Sequence, residues 1–356
     1  MEMSFKPDWE QAAQRFEAWW AGEIIDRVCL QVTAPEDIVT RKNIPAPPTL
    51  EERWTNVEYV VTAAEERMRG TFYGGEAFPC FWPNLGPDVF AGCLGCPLVF
   101  ADTTSWSMPI VDDWDDAPPL VFDFNCRWWR TIREMTELAV EVGAGKFFVG
   151  LTDLHGGTDA VAALRDPQVW CLDLVERPDK IKAAMEKVTP MWFEVYEDTQ
   201  RIVRKKMQGS STWFNVWSPG RWYPVSCDYI CLISTPMVRE FVLPDIAAQV
   251  EWLDHSLFHL DGPGAIPHLN LLLEMPKLGG IQWVPGAGSP PMLEWIPLLK
   301  RIQAASKLLH LSVGANEVEP LLRELSPKGL MLSTWVRSED EARTLLKDAT
   351  KWTRER

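Results

Sequence analysis

Ser256–Asn270 reads SLFHLDGPGAIPHLN. Leu257, Phe258, His259 and Leu260 have the composition of a short buried strand. Asp261, Gly262, Pro263 and Gly264 cannot continue it, and a helix-like segment runs from Ile266 to Glu274. His259 and Asp261 therefore stand two residues apart where a strand gives way to a loop. Side chains at i and i+2 of a strand share one side, so the two reach a common point if the extended backbone lasts through Asp261.

The same grammar recurs along the chain. IQWV at 281–284 runs into PGAGSPP, LLHLS at 308–312 into VGANE, and GLMLS at 329–333 into TWVRSEDEA. Upstream lie VCLQV at 28–32, the segment Glu76–Trp82, FFVG at 147–150 and Ser211–Val216. Helical periodicity is predicted over 7–25, 49–70, 126–143, 158–165, 178–208, 236–254, 291–305 and 317–325. Strands alternating with helices predict a parallel sheet, and eight such units predict a (β/α)8 TIM barrel with its site at the strand ends. A doubly wound open sheet is the alternative, but no GxGxxG follows the first strand. The expected organisation is one barrel domain over 1–356, with 1–26 as an N-terminal helical extension and long loops at 33–48, 82–95 and 97–125.

Hydrophobic residues make up 46% of the 356, enough for a large core. The formal net charge is −15 without a basic run, which argues against nucleic acid as a partner. No apolar run reaches the ~18 residues of a membrane span. The opening MEMSFKPDWEQ lacks the basic-then-apolar order of a secretory signal. A cytoplasmic location, with the eight cysteines reduced, is the expectation. Cys93-Leu-Gly-Cys96 is read as buried thiols, and the acidic run at 112–116 as a solvated loop.

Three groups carry candidate chemistry. His259 and Asp261 are metal ligands or an acid/base pair; structurally they are a core histidine and a helix cap. Asp153 and His155 form a second pair beyond a strand, where the carboxylate orients the imidazole and Gly156-Gly157 admits a ligand, or where all four simply make a turn. Cys227 and Asp228 offer a thiolate and a carboxylate. Arg221 suits an anionic substrate or a surface ion pair. Among nineteen tryptophans, Trp82, Trp106, Trp217, Trp222 and Trp283 lie in or beside the expected rim loops, where they wall a pocket or pack the loops. His255, His268 and His310 are read as packing residues.

FFVGLTDLHGGTDAVAALR, LDLVERPDKIKAAMEKVT, CDYICLISTPMVREFVLPDI, FHLDGPG and GLMLSTWVRSEDEARTLL, in that order and spacing, resemble the uroporphyrinogen decarboxylase superfamily over 147–345. That superfamily includes decarboxylases and cobalamin-dependent methyltransferases. The resemblance implies a barrel and corrinoid-linked methyl transfer. It also implies a zinc ion held by His259 with Asp261 or Cys227, and proton or positioning roles for Asp153, His155 and Asp228. Where the zinc enzymes carry His-x-Cys and a later Cys, this chain has His259-Leu260-Asp261 and Ser333-Thr334-Trp335, which points to harder ligands. The decarboxylase's Met-Arg-Gln-Ala-Gly-Arg segment is absent. Methylcobalamin is expected on a separate carrier protein, because Asp153-Leu-His155-Gly-Gly only partly echoes a cobalamin-binding DxHxxG. The partners implied are a small-molecule substrate and a corrinoid carrier protein, with a homodimer as a further assembly to test. A decarboxylase or lyase on the same barrel, and a non-catalytic barrel binding a small ligand, are the alternatives.

Overall fold

The computed structural model describes residues 3–36 and 42–354; part of the predicted 33–48 loop, 37–41, lies outside the described residues. Thirteen strands occur among them. They are β1 Cys29–Pro35, β2 Thr71–Gly75, β3 Cys80–Phe81, β4 Leu98–Phe100, β5 Ser105–Ser107, β6 Phe148–Val149, β7 Ser210–Ser211, β8 Trp217–Ser218, β9 Trp222–Val225, β10 His255–Asp261, β11 Gly280–Val284, β12 Leu308–Ser312 and β13 Leu330–Trp335.

The central sheet has the order β2-β1-β13-β12-β11-β10-β9. All its pairs are parallel except β1–β2. The arc beyond β1 and β9 is spanned by short pieces, of which β3 and β6 pair in parallel, linked by a few backbone hydrogen bonds. Glu76 N–H donates to Leu30 O (3.2 Å), Phe148 N–H to Pro79 O (2.9 Å), Gly150 N–H to Phe81 O (2.7 Å) and Leu151 N–H to Ser211 O (2.8 Å). The fold is mixed α/β with a central, mostly parallel sheet, barrel-like in arrangement.

The predicted strands at 28, 78, 147, 257, 281, 308 and 329 correspond to β1, β3, β6, β10, β11, β12 and β13, whereas the predicted Ser211–Val216 shares only Ser211 with β7 and then turns. β9 was not expected, because Pro224 and its neighbours read as loop. It stands at the edge of the seven-stranded sheet, where a missing N–H is tolerated, and all four of its residues are buried. The predicted helix over 49–70 breaks at Asn56, whose side chain accepts from Tyr59 N–H and starts a second helix, Val57–Arg69. The predicted 236–254 helix carries a π-helical turn at Val238–Val242. An unexpected helix, Pro167–Glu176, begins after Asp166, whose carboxylate caps it.

The N-terminal helix Trp9–Trp20 buries Trp9, Ala12, Phe16 and Trp19, an i, i+3, i+4 stripe. It lies across the starts of the strands. Trp9 meets Phe148 at 5.4 Å and Trp217 at 5.4 Å, and Trp20 meets Trp222 at 5.4 Å and stacks on His255 at 4.5 Å. Trp9, Trp20, Trp217 and Trp222 thus close the N-terminal end of the sheet.

Glu76 follows β2 and is fully buried. Its carboxylate receives Arg27 Nη1 (2.6 Å), Arg27 Nη2 (2.8 Å) and the Leu30 N–H (2.7 Å). Gly75 brings the chain there at φ +61°, and a Cβ on it would sit 2.1 Å from Leu30 O. Removing one partner of a buried pair strands the other in low dielectric, at about 3–5 kcal/mol. Glu76→Ala is therefore expected to lower the urea and thermal midpoints by an amount of that size. An unchanged midpoint would show that Arg27 finds water instead.

Candidate functional site

The interiors of five consecutive strands each contribute one polar side chain. In register, His259 of β10 stands beside Gln282 of β11, which stands beside His310 of β12; Gln31 of β1 stands beside Ser333 of β13. They are joined. His259 Nδ1 hydrogen-bonds Gln282 Oε1. His310 Nε2 lies 3.0 Å from Ser333 Oγ, Ser333 Oγ donates to Gln31 Oε1 at 2.6 Å, and Gln31 Nε2 donates to Asn215 O at 2.6 Å. Because the Ser333 proton goes to Gln31, its oxygen is free to accept from His310. The proton of His310 then sits on Nε2, and the buried Nδ1 is left with no hydrogen-bond partner.

Gln31, Gln282, His310 and Ser333 of this layer line a cavity of about 290 Å³, walled also by Trp213 and Phe214, and His259 lies behind those two rings. Both rings meet His259 edge-on, at 5.2 and 5.7 Å. A larger cavity of about 760 Å³ shares Thr33, Tyr73, Phe78 and Asn215 with it and reaches Trp82 and Trp335.

A second group lies beside His259. The loop after β6 is clamped by Tyr223 of β9, whose hydroxyl accepts from Leu154 N–H at 2.6 Å, and by Trp192, whose Nε1 donates to Leu154 O at 3.1 Å. The helix Gly157–Arg165 follows at once. Gly157, at φ +51°, lets Asp245 close over the helix start; a Cβ there would fall 1.8 Å from Asp245 Oδ2. Within this clamp His155 Nε2 lies 3.3 Å from Asp153 Oδ1, and its Nδ1 lies 3.6 Å from Asp228 Oδ2. Asp159 Oδ1 accepts the Asp228 N–H at 2.9 Å.

Burial opposes charge on His155, but Asp153, Asp228, Asp159 and Asp88 together outweigh it and push its pKa up to about 9. Burial, then the Asp228 charge, pushes Asp159 up to about 7. Asp153 is raised by burial, against the opposing pull of His155, and it also feels His259. His310 goes the other way: burial, then His259, lowers it to about 4.

Several expected site residues lie elsewhere. Trp217 packs against Trp9 at the N-terminal end, with its Nε1 on Gln208 O at 3.0 Å. Trp283 is buried against Trp295. Arg221 precedes β9, covers Trp252 and faces Asp254 at 3.5 Å, so it sits at the wrong end of the strands for a substrate anion. Trp82 does line the larger cavity. Asp261 is exposed at the end of β10. Cys227 is buried, and burial followed by Asp159, Asp228 and Asp245 pushes its thiol well up, which disfavours a thiolate ligand. His259, Asp261 and Cys227 do not converge as ligands. Among the described residues, one group of three brings ligand atoms within 4.8 Å of one another: His155, Asp159 and Asp228. The expected zinc set at His259 thus does not fit, and no step is assigned to it.

Sequence reading missed Asp159, Gln31, Gln282 and His310. The signal was present: VCLQV, LFHL, IQWV and LLHLS each hold one polar residue inside an apolar strand.

The lowered His310 carries a sign. Between its ordinary 6.5 and about 4, the unfolded chain binds a proton that the folded chain does not. Stability from this group is therefore present above 6.5 and lost as pH falls toward 4. In His310→Gln, the stability lost between pH 7 and pH 5 is expected to be about 2 kcal/mol smaller than in wild type. Parallel urea titrations check this; equal losses would mean that His310 protonates freely in the fold.

The structure is similar along its length to a methyltransferase from Methanosarcina mazei. The TM-score is 0.61, covering 96% of this chain and 98% of that one, at 14% sequence identity. No protein-family profile matches the chain, and no curated protein matches its sequence. No helix among the described residues is long and apolar enough to cross a membrane. At this identity the likeness speaks for the fold.

Proposed function

We propose that the chain is a methyltransferase of the uroporphyrinogen decarboxylase superfamily, built on a closed (β/α)8 barrel and working with a corrinoid carried by a separate protein. The observation that carries this reading is the end-to-end likeness to a methyltransferase, joined to a polar layer within a strand-lined cavity. A site built from successive parallel strands is where this architecture holds its chemistry.

The corrinoid, when docked, supplies or receives the methyl group. The chain's own residues bind and orient the small partner. With Nδ1–H given to Gln282 Oε1, His259 keeps its Nε2 lone pair to take a proton from an acceptor. Nδ1 of His310 receives a hydrogen bond from the substrate, and Trp213 and Phe214 keep water away. Asp153 and His155 are bound to each other within the chain, which favours a corrinoid held elsewhere over one ligated at this partial DxHxxG.

The test is loss of the methylcobalamin absorbance on incubation with the protein and a panel of small thiol, phenol and amine acceptors. Wild type is expected to turn over one class of acceptor, and His259→Ala to do so at least about 100-fold more slowly. Inertness toward the whole panel, and toward methylated counterparts with reduced cobalamin, would overturn the proposal. Decarboxylation of small acids under the same conditions would favour a lyase.

A further inference from the structure

We infer that His155, Asp159 and Asp228 form a binding site for a divalent transition-metal cation such as Zn²⁺ or Mn²⁺, independent of His259. Their ligand atoms already lie within 4.8 Å of one another. An imidazole nitrogen with two carboxylate oxygens suits such ions and leaves room for water or a ligand.

Three independent features point the same way. Asp159 is 3% exposed, yet its Oδ2 has no hydrogen-bond partner. A buried carboxylate oxygen left open is costly unless something positive meets it. Next, Asp153 stands 3.3 Å from His155 Nε2. This is the supporting carboxylate of a carboxylate–histidine–metal arrangement: it holds the proton on Nε2 and turns the Nδ1 lone pair toward Asp228 and Asp159. Last, three carboxylates gather round one imidazole, and no lysine or arginine pairs with them among the described residues.

Access and rigidity are also in place. The Asp228 side chain is 44% exposed, while that of His155 is 9% exposed, so the site opens on the Asp228 side. Asp245 receives Thr189 Oγ1 at 2.7 Å and Gln249 Nε2 at 3.1 Å, and it covers the start of helix Gly157–Arg165. The positive end of that helix is thus screened from the ion by a carboxylate outside the ligand set.

The experiment is calorimetric titration of the full chain, stripped with chelator, with ZnCl₂ and separately with MnCl₂. Wild type is expected to bind one ion per chain. Asp159→Asn, which retains the oxygen that accepts the Asp228 N–H, and Asp228→Asn, on the exposed flank, are each expected to weaken binding at least about 10-fold. His259→Ala is expected to bind as wild type does. Circular dichroism confirms that each variant is folded, and the exposed Asp228 position keeps the test available if Asp159→Asn is not. No binding below millimolar, equal binding in wild type and the Asp228→Asn variant, or loss of the ion in His259→Ala would each overturn the assignment. None of these readouts depends on methyl transfer, so the two proposals fail separately.

Discussion

A buried carboxylate fixes the frame. Glu76 is fully enclosed and is met by Arg27 through two nitrogens and by the Leu30 N–H. Desolvating such a pair is costly, and several hydrogen bonds at one point are what make it tolerable. The geometry that satisfies the carboxylate also sets the fold. β1 must pass with its backbone against Glu76, and β2 must end in a residue that allows φ above zero, which Gly75 supplies. The main-chain oxygen of Glu76 faces Gln31 Nε2 at 3.4 Å. Through Gln31, the frame continues into Ser333 and His310. The ion pair that orders the first strand thus also orders the cavity wall as far as β12, two strands round the sheet.

The two ends of the sheet differ in kind. The N-terminal end is sealed by apolar rings from the first helix, with Trp9 and Trp20 packed on the opening residues of β6, β9 and β10. Dispersion and burial dominate there, and no ligand is needed to satisfy the rings. The interior toward the other end holds amides, hydroxyls and imidazoles bonded to one another, with cavities above them. An unpaired polar group in such a place is expensive. The bonded chain from Asn215 to His310 spreads that cost over several groups and leaves one buried acceptor atom, His310 Nδ1, without a partner.

The strand positions were legible because parallel buried strands write themselves as apolar runs ended by Gly, Pro and Asp. That signal located β1, β10, β11, β12 and β13 closely. It failed at β9, where Trp222-Tyr-Pro-Val225 reads as loop until β10 is seen pairing with it. Asp153, His155 and His259 were singled out because each lies near a predicted strand end, and Asp228 because it stands beside Cys227 ahead of a helix. Asp159 was not, since a carboxylate in the first turn of a helix is ordinary in sequence and significant only when packing buries it. Trp283 was assigned to the rim but lies within β11 and packs on Trp295; Trp217 and Arg221 were assigned to it because a loop residue carries no mark of which end of a strand it flanks. Only the N-terminal helix, docking across the strand starts, decides that.

The deepest asymmetry of the site lies in its histidines. His310 and His155 flank the same neighbour, His259, which influences both His310 and Asp153. His310 is buried, and burial, then the nearby His259, disfavours its cation. His155 is as deeply enclosed, but four carboxylates surround it. One environment therefore keeps an uncharged acceptor, and the other gathers positive charge, whether a proton or a divalent ion occupies it. Two groups of one chemical type driven apart by their surroundings are how a fold divides acid and base roles at neutral pH. His259 stands between them, held by a neutral amide, where a proton passing to or from a bound molecule would meet a neutral acceptor on one side and a fixed positive charge on the other.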